Sequence, residues 1–173
     1  MIILLLAREL ALPAWAIGLI FAVGGLGGLV GAMLTKRIVA LIGQGPTIWI
    51  STAASAPFSF LLPWAGADWR LGLVGLSQFT FGVGIVVYNI TQLSFRQAIT
   101  PEPLLGRMNA TLRFLVWGTM PLGGLLSGLL GDAIGVRETL WICATGISLS
   151  FLWVLLSPMR TMRELPVSNH TPQ

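Results

Sequence analysis

Charged residues interrupt this 173-residue chain so rarely that five stretches contain none: 10–35, 38–67, 71–95, 114–131 and 139–159. A helix rises 1.5 Å per residue, so about 20 residues cross a hydrocarbon core about 30 Å thick, and every one of these stretches is long enough to qualify. The same scarcity excludes a soluble domain. Charged residues make up 9% of the chain, against roughly 25% in average soluble proteins, and the mean hydropathy is +0.85. No strand-like alternation of apolar and polar residues suggests a membrane barrel. The expected class is an all-α integral membrane protein. Gly43, Gly45 and Pro46 punctuate the start of the longest stretch, which places the spans at 13–34, 47–64, 71–93, 113–131 and 139–157, with 158–173 as a tail. Residues 1–7 are apolar but too short to span, and Arg8-Glu9 follow at once. They read as the last turns of a sixth helix whose beginning is missing.

The placement of Lys and Arg orients the bundle. Put the 35–46 loop, the 94–112 loop and the tail on one side. That side holds Lys36, Arg37, Arg96, Arg107, Arg113, Arg160 and Arg163 against Glu102 and Glu164. The other side holds Arg8, Arg70 and Arg137 against Glu9, Asp68, Asp132 and Glu138. The basic side is expected to be cytoplasmic, with the C-terminus there. The formal charge of +4 is therefore a topology signal. Ten basic residues scattered along the chain make no nucleic-acid patch. One cysteine, Cys143, and one histidine, His170, leave little for a disulfide or a metal site, and no cofactor is expected.

Two glycine-rich tracts, 24–31 and 123–131, contain small residues one helical turn apart, including Gly24, Gly28 and Gly31 in the first and Gly124 and Gly128 in the second. Such spacing lets helices approach closely where lipid supplies no hydrophobic drive to associate. The alternative is chance in a glycine-rich segment. The tracts fall in the second helix of each of two triplets that run in opposite senses, which is the arrangement of an inverted three-plus-three repeat.

The polar residues left inside the spans are few. Gln78, Gly82, Ile85, Asn89 and Gln92 share one face of span 71–93, flanked by Tyr88. Amides are costly in hydrocarbon without partners, so this face lines either a substrate pathway or a helix contact fixed by hydrogen bonds. In span 113–131, Arg113, Trp117, Met120 and Gly124 share a face. Trp117 and Met120 suit a bulky apolar or cationic ligand, or fill a packed interface. Pro57 and Pro121 are expected to kink or loosen their helices. Thr100, Pro101 and Glu102 predict the start of a short surface helix ending near Gly106. Arg96, Glu102 and Arg107 are candidates for a gate there, or serve only orientation and headgroup contact. No acid, base or nucleophile set for catalysis can be drawn from the spans, so an enzyme is not expected.

The run Tyr88-Asn-Ile-Thr-Gln, then Arg96-Gln-Ala-Ile-Thr-Pro-Glu-Pro-Leu-Leu-Gly-Arg-Met-Asn-Ala-Thr, then Pro121-Leu-Gly-Gly-Leu-Leu-Ser-Gly-Leu-Leu-Gly resembles the C-terminal half of major facilitator superfamily exporters. The resemblance is greatest to the bacterial enterobactin-exporter and macrolide-efflux-like branch. It implies that the five spans correspond to helices eight to twelve of a twelve-helix protein. The family's motif between helices eight and nine is matched loosely by Gly31-Ala-Met-Leu-Thr-Lys-Arg, with Thr35 where an acidic residue is often found. The implied function is secondary active efflux of a small organic molecule, such as a drug or siderophore, by alternating access across a bacterial inner membrane. Its partners would be the bilayer, the substrate, and a missing N-terminal half or a second copy. The alternatives are a self-standing half-transporter working as a homodimer and an inactive membrane fragment.

Overall fold

The computed structural model describes residues 1–156, except for the side chains of Ile99, Glu102 and residues 150–156. The tail 158–173, with Arg160 and Arg163, lies outside the described residues. Among those described, every regular element is helical. A short α1 (Ile2–Leu4) runs into a π turn at Leu5–Glu9. It is followed by α2 (Ala14–Ile42), α3 (Gln44–Ser59), α4 (Leu71–Ile99), α5 (Glu102–Ile134) and α6 (Val136–Leu156). Three helices are long and apolar enough to cross a membrane: Ala14–Ile42, Leu71–Ala98 and Pro103–Ile134.

The boundaries differ from the expected spans for identifiable reasons. Lys36 and Arg37 end the apolar stretch but not the helix, because both are good helix formers and stand exposed. Thus α2 continues eight residues past the expected limit of 34 and stops at Gly43, whose φ of 88° suits glycine alone. Pro46 falls in the first turn of α3, where its missing N–H costs no intrahelical bond. At its other end α3 stops at Ser59, short of 64. The chain tightens there through bonds such as Leu61 N–H to the Phe58 carbonyl and Leu62 N–H to the Ser59 carbonyl. Pro63 disfavours helical backbone in the residue before it.

The largest departure is the 94–112 loop. The structure has no separate surface helix there: α4 runs to Ile99, and α5 is continuous from Glu102 through Gly106 to Ile134. Pro101, not Thr100, occupies the N-cap position with extended backbone, and the Thr100 hydroxyl lies 3.1 Å from Met108 Sδ. Leu-, Arg-, Met- and Ala-rich sequence from 104 to 115 outweighs the one glycine.

Packing centres on α2 against α4. A β-carbon added at Gly31 would lie 2.7 Å from the Val83 carbonyl oxygen, and one at Gly27 would collide with the Phe79 carbonyl. From the other side, Gly82 presses on the backbone of Gly24 and Gly28. Small residues here let the two backbones touch. Helix α3 uses the same device, with Gly84 of α4 seated against Ser51 and Ser55. At one end of the bundle Leu5 and Leu6, both fully buried, pack with Ile20, Ala65, Val74 and Leu140. The first residues of the chain are thus part of the core. Helix α5 stands apart: none of its most apolar window is buried inside the protein.

Candidate functional site

Helices α4 and α5 diverge enough to leave a cleft of about 450 Å³ between them. From α4 it is lined by Asn89, Gln92, Leu93, Arg96 and Gln97, and from α5 by Asn109, Leu112, Arg113, Val116 and Trp117. The lining is explained by helical spacing. Asn89, Gln92 and Arg96 follow each other by three and four residues, and Asn109, Arg113 and Trp117 by four and four, so each set forms a stripe along one face. The two stripes confront each other across the cleft.

Polar and apolar side chains alternate along the cleft. Arg96 closes the charge-free stretch of α4, and Arg113 opens that of α5. Among the described residues, no acidic side chain lines the space. The only ion pair among the described residues joins Arg137 to Glu9 instead. Two arginines with no ion-pair partner among the described residues give the cleft a positive field. Gln92 also donates from Nε2 to the Tyr88 hydroxyl at 2.6 Å. Tyr88 in turn lines a neighbouring cavity of about 270 Å³ with Thr52, Ser55, Phe81 and Ile147. This bond links the cleft to the space between α3, α4 and α6.

The expected pathway residues divide accordingly. Asn89, Gln92 and Trp117 meet in the cleft, together with the expected gate or topology residues Arg96 and Arg113. Tyr88 borders it through Gln92. Gln78 does not join them: only 8% exposed, it is buried with its backbone against Gly24 of α2. Met120 is exposed on α5, outside the cleft lining. Arg107 lines a shallower hollow with Arg96, Thr100 and Met108, and Lys36 and Arg37 stand exposed on the last turns of α2. The Glu102 side chain lies outside the described residues. Of the glycines, Gly24, Gly28 and Gly31 face α4, whereas Gly124 and Gly128 have open space where a β-carbon would go.

Asn109 and Gln97 were not among the expected site residues. The signal for Asn109 was present in the four-residue spacing to Arg113 and Trp117, but it is meaningful only if α5 begins before 109. Among the described residues, no group of His, Cys, Asp or Glu is placed to hold a metal ion. Comparison with known proteins finds no family model, no curated protein and no solved structure that matches this chain.

Proposed function

We propose that this chain forms one wall of a membrane transport pathway and belongs to a secondary active exporter of a small organic molecule. The α4–α5 cleft carries this reading, because it gathers amides, arginines and an indole between two helices of mainly apolar sequence. Polar side chains in a membrane-spanning helix are costly unless they meet partners, water or substrate. The chain's punctuation supports the inverted three-plus-three repeat. Helix α2 begins after Pro13 (φ −65°, ψ 150°) and ends at Gly43 (φ 88°, ψ 168°). Helix α5 begins after Pro101 (φ −57°, ψ 140°) and ends at Gly135 (φ 99°, ψ 159°). Each triplet thus has a long middle helix that starts at an extended proline and reverses at a single glycine. Repeats of this kind build transporters that alternate access by moving one half against another. In this reading the shorter α3 and α6 cross a bacterial inner membrane beside α2, α4 and α5, the Lys- and Arg-rich side and the C-terminus are cytoplasmic, and the motifs quoted above reflect kinship with major facilitator exporters.

A second helical half completes the pathway, covering the exposed face of α5. The partner is the other half of a longer transporter, or a second copy of this chain. The exposed α5 residues Phe114, Trp117 and Met120 give a direct test, since cysteine pairs at these positions crosslink only if two copies face each other. Transport itself is tested in the intact exporter. Asn89→Leu or Gln92→Leu is expected to lower the export rate about fivefold at unchanged protein level, the loss of a hydrogen bond worth about 1 kcal/mol. Unchanged export at normal expression would remove the cleft from the pathway.

A further inference from the structure

We propose that the α4–α5 cleft binds an amphiphilic anion, a phosphate or carboxylate group carried on an apolar body. The proposal rests on the pathway reading for the movement of such a ligand, but not for its binding. Its basis is the set of groups that line the cleft. Arg96 and Arg113 stand at the same boundary between polar and apolar sequence, one at the end of stretch 71–95 and the other just before stretch 114–131. Both line the cleft, and among the described residues no carboxylate lines it with them and neither has an ion-pair partner. Arg137, at the opposite end of the helices, is by contrast occupied by Glu9 and by the carbonyls of Pro63 and Ala65.

Two unneutralised guanidinium groups beside a cavity favour an anion, and their planar donor forks match the oxygens of phosphate or carboxylate. Amides and apolar side chains line the same cleft beside them. Asn89 lies seven residues from Arg96, about 10 Å along α4, and Trp117 lies four residues from Arg113, about 6 Å along α5. Leu93 and Val116 supply apolar wall between these positions, with Leu112 beside Arg113. An anionic head fits at the arginines, with its apolar body lying along Trp117 and the amides serving any further polar group.

Two sources carry this chemistry, an anionic lipid and a dissolved organic anion, and binding to the purified 173-residue chain distinguishes them. In the first arm, native mass spectrometry compares retention of phosphatidylglycerol and phosphatidylcholine from mixed nanodiscs. In the second, equilibrium dialysis in neutral detergent compares naphthoate with naphthylmethylammonium. A preference for the anion in either arm, weakened at least about tenfold in Arg96→Gln/Arg113→Gln and unchanged in Arg8→Gln, is the expected result. A preference in the first arm alone assigns the site to lipid, and one in the second alone to a solute. The charge-preserving Arg96→Lys/Arg113→Lys variant is expected to keep anion over cation, which guards against loss of binding through misfolding. Equal retention of anion and neutral or cationic probe in both arms overturns the proposal, as does undiminished binding in a folded double-glutamine variant. Transport is not read, so failed export would leave this site standing, and failed binding would leave the pathway reading standing.

Discussion

Gly27→Val is expected to separate α2 from α4 and to destabilise the protein by about 3 kcal/mol or more, while Gly124→Val is expected to change stability by less than about 0.5 kcal/mol. Overpacking a filled interface costs about 1–3 kcal/mol when side chains can adjust. At Gly27 they cannot, because the atoms in the way belong to the Phe79 backbone, and moving them means moving the whole helix. The propensity gained on replacing glycine in a helix is below about 1 kcal/mol and does not offset this. At Gly124 nothing stands within 4 Å of an added β-carbon. Unfolding by titration with denaturing detergent, followed by circular dichroism, measures both variants. Equal losses would mean that the second glycine tract is packed as closely as the first.

That contrast also marks how far the sequence reaches. The two glycine tracts look equivalent as patterns, since both place small residues one turn apart. Which tract is used depends on what faces it. For α2 the answer was half visible in Gly82, which lies opposite Gly24 and Gly28, but its role as the other side of a backbone contact is a property of two helices together. The helical class and the three longest apolar helices followed directly from the absence of charge, because hydrocarbon tolerates little else. Helix ends did not follow, because charge marks where an apolar stretch stops while helices stop at Gly43, Gly135 and the prolines. That distinction cost most at 94–112. The charges there predict a loop, whereas the first three turns of α5 fill it and carry Asn109 to the cleft with Asn89 and Gln92. Arg96 and Arg113 were legible as topology charges, but their meeting in one cleft was not, since it requires α4 and α5 to turn sharply at Thr100–Pro101.

At the end of the bundle away from the cleft, Arg137→Ala is expected to cost about 2 kcal/mol more than Glu9→Gln, although the two residues form one ion pair. Arg137 Nε donates to Glu9 Oε2 at 2.9 Å, Nη1 to the Pro63 carbonyl at 3.3 Å and Nη2 to the Ala65 carbonyl at 3.0 Å. The charge pair itself is worth little: the Arg137 side chain is 43% exposed and that of Glu9 32%, and pairs this open contribute about 0.2–1 kcal/mol. The carbonyl bonds matter more. Pro63 and Ala65 are buried, so their oxygens cannot simply turn to water, and a charged donor lost from a buried acceptor costs about 1.5–3 kcal/mol. Through these bonds one side chain ties the start of α6 to the α3–α4 connection and to the N-terminal segment, whose Leu5 and Leu6 fill the core beside it. Arg137→Lys is expected to fall between the two variants, because a single ammonium group can reach Glu9 but cannot span all three acceptors. The same detergent-unfolding series ranks the variants, with protease cleavage in the 60–70 connection reporting local release. A loss in Glu9→Gln as large as in Arg137→Ala would place the stabilisation in the ion pair and not in the carbonyls that Arg137 holds.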